Sequence, residues 1–335
     1  MKVLVTGGGG FLGSAIVRRL LARGDDVTVV ARGDYPALRE LGAQTVSIDL
    51  GSPGAREGLA DLMAGHALVF HVAAKTGVWG RREDFVHANV HGTQNVIAAC
   101  RAAGVDRLVH TSSPSVIFDG HDHVDAGPDL PYPSSYEAYY PETKAEAERL
   151  VLAANDATLT TTALRPHLVY GPGDPWLLPR ILDRHAKGRL RIVGEGTNRV
   201  SLTYVENAAV AHLQAAAALA PGAACAGRAW FVADPAPVVL WEWINRLFVR
   251  VGLPRLDRHV PVGLARGMGG LLEAAWRTFS LGGDPPMTRF VASQLATSHT
   301  YALGPARAAF GYTPTLDGEA AFEVTAAWWA AHRGR

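Results

Sequence analysis

The chain has 335 residues, enough for one large or two coupled domains with a full core. Its formal net charge of +1 gives no electrostatic footprint for nucleic acid, and no run reaches the roughly 18 apolar residues of a membrane span. Cys100 and Cys225 have no His or Cys partner at metal spacing and read as buried free thiols in a reducing compartment. The N-terminus enters a core strand at once, with no room for a signal peptide, so a soluble cytoplasmic protein is expected.

The chain begins with an apolar, β-branched run over residues 1–6, which predicts a buried strand. Gly7, Gly8, Gly9 and Gly10 follow, then Phe11-Leu12-Gly13 and an apolar helical period ending at Gly24. In a strand–turn–helix context, Gly7 permits a tight turn, Gly10 lets backbone approach a pyrophosphate, and Gly13 lets the helix pack on the sheet. The helix N-terminus then faces the phosphates. The alternative is a plain flexible turn between core elements.

Residues 27–31 form the second predicted strand. An acid at its end would bond the ribose hydroxyls and select NAD, but Ala31 and Arg32 stand there. A guanidinium binds a 2′-phosphate in bidentate fashion, so NADP(H) is the expected cofactor unless Arg32 is only a solvated loop charge. Residues 44–48 are the third strand, closed by Asp49-Leu50. Asp49 either accepts from the adenine amino group or caps the helix after Pro53. The fourth strand, residues 68–74, ends in the small Ala73 and Ala74, where a cofactor could pass. Lys75 and Trp79 then leave the sheet edge at which open α/β sheets bind ligands. They either meet substrate or are a solvated lysine and a packed aromatic.

A long amphipathic helix over residues 84–102 carries Asn89, and the fifth strand, residues 108–112, leads into Ser113-Pro114-Ser115-Val116. The loop over residues 118–134 holds His121 and His123 among acids; it reads as solvated surface, and no metal is predicted. Tyr140 and Lys144 open the next helix on one face. An ammonium beside a phenol favours the phenolate, so Lys144 is expected to lower the Tyr140 pKa and make it a proton carrier near neutrality. The Ser113 hydroxyl could hold a carbonyl beside it. Tyr-x-x-x-Lys is weak alone and strong beside the glycine motif.

The sixth strand, residues 158–164, ends in Arg165-Pro166-His167-Leu168-Val169, a turn whose backbone suits a nicotinamide carboxamide. Regular alternation then stops. The expected fold is α/β: a Rossmann-type doubly wound parallel sheet over residues 1–175, with segments near 200–235 returning to it. A smaller interleaved substrate domain occupies residues 176–335. The apolar segment 262–281 reads as a lid, a partner or membrane contact, or core.

Together these residues resemble the extended short-chain dehydrogenase/reductase family over nearly the whole chain. Thr6-Gly7-Gly8-Gly9-Gly10-Phe11-Leu12-Gly13 matches its Thr-Gly-x-x-Gly-x-x-Gly signature, Ser113, Tyr140 and Lys144 match its catalytic trio, and Asn89 matches its supporting asparagine. The resemblance implies that the tyrosine moves the proton on the carbonyl or alcohol oxygen and the serine orients that oxygen. The lysine bonds the nicotinamide ribose and tunes the tyrosine, and hydride comes from the nicotinamide. Pro114-Ser115 replaces the Asp-Glu of nucleotide-sugar dehydratases, and Val200 replaces the arginine of sugar-nucleotide epimerases.

Within the family the chain is similar to the 3β-hydroxysteroid dehydrogenase branch. There it is most similar to bacterial reductases of 2-alkyl-3-oxoalkanoates in olefin and β-lactone biosynthesis. The likeness rests on Arg32-Gly33-Asp34-Tyr35-Pro36, Thr111-Ser112-Ser113-Pro114-Ser115-Val116, Pro285-Pro286-Met287-Thr288 and Phe310-Gly311-Tyr312-Thr313-Pro314. It implies NADPH-dependent reduction of a long-chain 3-keto acid. The alternatives are a 3β-hydroxysteroid or sterol-4-carboxylate dehydrogenase and an NADP(H)-sensing protein without turnover. Lys75, Trp79, Ser115 and His167 are the candidate substrate contacts, with Arg165 a further candidate for the carboxylate. The resemblance also implies a homodimer through the helices bearing Asn89 and Tyr140.

Overall fold

A computed structural model describes residues 1–332. Seven strands, β1 (Lys2–Thr6), β2 (Asp26–Ala31), β3 (Gln44–Ser47), β4 (Leu68–His71), β5 (Arg107–Thr111), β6 (Thr160–Pro166) and β7 (Ala229–Val232), form one sheet. Their order is β7-β6-β5-β4-β1-β2-β3, and every neighbouring pair is parallel. The strand order reverses direction at β1, so a crevice opens there beyond the carboxyl ends.

Alternation within β1 divides the core. Val3 and Val5 face one layer, with the helices Phe11–Ala22 and Val205–Ala218, and Leu4 faces the other, with Ala55–Met63 and Gly92–Ala103. Covering both faces leaves β4 and β6 buried along their whole length, and so they lack the polar alternation of a half-exposed strand. The doubly wound parallel sheet expected from the sequence is the observed one. Cys100 and Cys225 are free and buried.

Three local expectations differ. The helix over 84–102 is three pieces, Arg82–Phe85, a wide π turn at Val86–His91, and Gly92–Ala103, with Asn89 in the π turn. Part of the polar loop 118–134 is a strand, His123–Ala126, in a second sheet with His299–Tyr301, Arg199–Val200 and Val238–Val239. Pairing with a strand some 175 residues away supplies hydrogen bonds that no local pattern announces. The apolar segment is a helix, Val262–Thr278, that buries only Ala265, Gly269 and Glu273. Leu264 and Leu271 stay 56% and 74% exposed, so core packing describes only one narrow strip of it. Among the described residues no helix is long and apolar enough to cross a membrane.

Candidate active site

A cleft of about 1010 Å³ runs along the carboxyl ends of the strands. Its first end is built from the glycine turn. Gly7 takes φ +68°, and a Cβ there would meet the Ala73 backbone at 2.7 Å. A Cβ on Gly13 would stand 2.1 Å from the Gly7 carbonyl oxygen. Gly10 caps the helix Phe11–Ala22 without any side-chain cap, and no acid lies in the first turn. The helix amides therefore face the cleft with no side-chain cap of their own, which fits a pyrophosphate.

Gly7, Gly10, Phe11, Leu12, Gly13, Arg32, Asp49, Leu50, Ala73, Ala74, Pro166 and Val169 all line this cleft with Tyr140 and Lys144. Arg32 is exposed and makes no salt bridge among the described residues, whereas Asp34 is engaged by Arg39. Asp49 does not cap a helix. Its Oδ1 accepts from Gly51 N at 3.2 Å, and its Oδ2 pairs with His87 Nε2 at 3.0 Å. The His87 bond holds the carboxyl below its ordinary pKa. Tyr35 was given no role from the sequence, yet it lines the cleft with its ring against Gly9, where a Cβ would stand 2.1 Å away.

The chemistry gathers at the ends of β5 and the helix Tyr139–Ala153. Ser113 Oγ accepts from Ser115 N at 3.2 Å and Ser115 Oγ at 3.0 Å, which leaves the Ser113 hydroxyl proton to donate. Tyr140 stands with Ser113 in the cleft; burial pushes its pKa up while the Ser113 hydroxyl pulls the other way. Lys144 is 2% exposed, and its Nζ donates to the Thr111 carbonyl at 2.5 Å and approaches His110 Nε2 at 3.3 Å. Burial lowers the Lys144 pKa to about 8 against the opposing charge of Glu148.

The expected lowering of the Tyr140 pKa by Lys144 is thus corrected. The two share a helix face, but a buried ammonium must satisfy its own protons and turns them to the strand end. Sequence reasoning also missed three buried histidines behind the lysine: His71, His110 and His212. For the first two the signal was a histidine closing or nearly closing an apolar run, as in Leu68-Val69-Phe70-His71 and Leu108-Val109-His110; His212 lies within the helix Val205–Ala218 and carried no such signal.

The remaining candidates separate. Asn89 is buried and does not line the cleft. Its Oδ1 accepts from Lys75 N at 2.7 Å, and its Nδ2 donates to Lys75 O at 3.1 Å and Thr143 Oγ1 at 3.0 Å, tying the β4 loop to the tyrosine helix. Lys75 and Ser115 line the cleft. Trp79 does not, and the Arg277 guanidinium lies 5.3 Å over its ring.

His167 lines the cleft but is no cation. His299 Nε2 donates to the Gln294 carbonyl at 2.9 Å, so the neutral His299 ring accepts on Nδ1 from His167 Nε2 at 2.7 Å. Burial, then His299, holds His167 well below the ordinary histidine pKa. Arg165 is excluded as a carboxylate partner. It is 3% exposed and bound by Nε and Nη2 to the Glu148 carboxylate at 2.9 and 2.6 Å. No residue of 262–281 lines the cleft, which corrects the expectation that this segment shelters substrate there. Phe290, Gln294, Trp176, Leu177, Leu168 and Val78 form that wall.

The model of the 3-beta hydroxysteroid dehydrogenase/isomerase family matches residues 4–262. The chain is 48% identical over 318 residues, 94% of its length and 96% of the relative's, to a 2-alkyl-3-oxoalkanoate reductase of Stenotrophomonas maltophilia. It is 34% identical over 329 residues, 97% of its length and 90% of the relative's, to a decarboxylating sterol-4-alpha-carboxylate 3-dehydrogenase of Mus musculus. Among solved structures, MoeE5 in complex with UDP-glucose and NAD superposes with a TM-score of 0.74 at 26% identity, covering 98% of both chains. The chain belongs to the 3-beta hydroxysteroid dehydrogenase/isomerase family, within the extended short-chain dehydrogenase/reductases, and is an oxidoreductase acting on a hydroxyl or ketone with a nicotinamide cofactor.

Proposed function

We propose that the protein uses NADPH to reduce the ketone of a long-chain 2-alkyl-3-ketoalkanoic acid to the 2-alkyl-3-hydroxy acid, a step of olefin or β-lactone hydrocarbon biosynthesis. The observation that carries this reading is Tyr140 beside Ser113 in one cleft with the glycine cradle, in a chain 48% identical to a 2-alkyl-3-oxoalkanoate reductase. The nicotinamide, when bound, supplies hydride. Ser113, whose proton is not spent on Ser115, turns it from Tyr140 to the ketone oxygen and orients that oxygen. Tyr140 protonates the developing alkoxide, and its raised pKa suits that role because the resting phenol is fully protonated near neutral pH. Lys144 presents the N–H not spent on Thr111 and His110 to the ribose.

Lys75 takes the substrate carboxylate in this reading. It is a cleft lysine, and its only salt bridge among the described residues is a 3.9 Å approach to Asp84. Arg32 takes the 2′-phosphate. Apolar Val78, Leu168, Leu177 and Phe290 suit an alkyl chain.

A second reading, a sterol-4-carboxylate dehydrogenase, is supported by the mouse relative. The substrates in the names of these two relatives share one feature, a carboxyl group on the carbon next to the one that bears the reacting oxygen. Running the reaction backwards separates them. Purified protein with NADP⁺ is mixed with a 2-alkyl-3-hydroxy acid or with a sterol-4-carboxylate, and NADPH absorbance is followed. Turnover of the hydroxy acid, with NAD⁺ clearly poorer, is expected. Turnover of the sterol alone, or preference for NAD⁺, overturns the reading.

A further inference from the structure

We propose that His110 is a positioning residue for Lys144, an uncharged acceptor that orients the ammonium so that a single N–H is left for the cleft. The proposal rests on the reading that Lys144 serves the reaction at Tyr140. His110 sits in β5, 1% exposed, and the other fully buried side chains of that strand, Leu108 and Val109, are apolar. An ammonium has three protons and no lone pair, so across the 3.3 Å contact His110 Nε2 must be the acceptor. The ring proton then stands on Nδ1, which is buried and has only a weak approach to the His71 backbone. A side chain kept here at the cost of a poorly satisfied donor supplies what an apolar residue cannot: a second acceptor beside the Thr111 carbonyl.

The neighbouring groups are committed elsewhere. Thr93 Oγ1 donates to the Asn89 carbonyl at 2.6 Å, so it accepts from His71 Nε2 at 2.9 Å. His71 Nδ1 therefore accepts from Thr6 Oγ1 at 2.8 Å. His212 Nδ1 donates to the Ala208 carbonyl at 2.7 Å, so its Nε2 accepts from Thr111 Oγ1 at 2.8 Å. Both rings are held uncharged by burial, as is His110, which also feels Lys144, His71 and His212. Glu148 is the anion that acts on Lys144, and Arg165 binds it. Lys144 is thus the one cation on this floor that is free of an ion pair among the described residues, and only His110 and Thr111 set its direction.

Two measurements test this. In wild-type holoenzyme carrying ¹⁵N-labelled histidine, His110 is expected to hold its proton on Nδ1 and to stay uncharged to pH 5. A proton on Nε2 overturns the proposal. The second compares H110F, which keeps ring volume without a lone pair, with H110Q, whose amide oxygen can reach the Nε2 position. H110F is expected to lose roughly ten- to a hundredfold in kcat, the usual consequence of a displaced catalytic contact. Its ketone KM should stay near wild type and the alkaline limb of its pH profile should move to lower pH, since a lost acceptor destabilises the ammonium. H110Q should recover most of both. A wild-type kcat and pH profile in H110F overturn the proposal. Should H110F fail to fold, the tautomer in wild type decides alone. Absence of keto-acid turnover by wild type would instead defeat the proposed function and leave the tautomer result standing.

Discussion

At the scale of single residues, Tyr140 and Lys144 are set by burial. Tyr140 is a phenol with a raised pKa, so it enters reduction protonated. Replacing it with phenylalanine should lower kcat by about 10²–10⁴-fold, the usual worth of a general acid, while cofactor binding measured by fluorescence is retained. Lys144 has the opposite linkage. Its folded pKa, about 8, lies below the ordinary 10.5. Below pH 8 both states are charged and the folded protein bears the burial cost; from pH 8 to 10.5 only the unfolded chain holds the proton. Cofactor-free wild type should therefore gain stability relative to Lys144→Met as pH rises through that window, by up to about 3 kcal/mol in urea titrations. Arg32 lines the cleft, and in the proposed function it takes the 2′-phosphate. Arg32→Ala should weaken NADPH by about ten- to a hundredfold and leave NADH nearly unchanged, in line with the loss of a charged hydrogen bond.

At the scale of elements, two constructions hold the cleft. The glycine turn works by exclusion, since Gly13 lies where any Cβ would meet the Gly7 carbonyl at 2.1 Å. Gly13→Ala should push the helix Phe11–Ala22 off β1, abolish cofactor binding by calorimetry and lower the thermal midpoint. The second construction is the pair of β6 with the tyrosine helix through Arg165 and Glu148. Burial alone would raise the Glu148 pKa, and the two guanidinium bonds bring it below the ordinary value instead. Arg165→Met leaves that carboxylate buried without a counter-ion, with the Tyr132 hydroxyl still donating to it, at a cost of about 3–5 kcal/mol in denaturant titrations. The strand, the glycine turn and the helix after it were legible locally, because alternation, glycine spacing and helical period are all short-range. The π turn at Asn89 was not, since its side chain is committed to Lys75 and Thr143, the latter 54 residues away.

At the scale of the molecule, the cleft draws on two sheets. His167 follows β6, and His299 belongs to the second sheet, so their 2.7 Å bond joins the far wall of the cleft to that sheet. The helix Val262–Thr278 stands outside this arrangement; it packs by Gly269 against Arg289–Ala296, which lines the cleft, and sends Arg277 over Trp79 and Arg266 to Glu137. Its outward leucines contribute little to folding. Leu271→Gln, at a position 74% exposed, should leave unfolding free energy within about 0.5 kcal/mol of wild type.

The amino-acid order alone determined the parallel α/β architecture, the glycine cradle and the meeting of Ser113, Tyr140 and Lys144. The first two follow from local patterns whose physics acts over a few residues, and the trio from the family resemblance joined to the rule that ligands gather at strand carboxyl ends. Tertiary structure alone decided which charges are free. Lys75, Arg165 and His167 were equivalent candidates as letters. Folding then bound Arg165 to Glu148, kept His167 neutral against His299 and left Lys75 facing the cleft. Burial likewise decided the sign of the Tyr140 shift and placed three histidines behind Lys144. Charge, tautomer and pKa depend on partners distant in sequence and on the exclusion of water, and neither exists until the layers close.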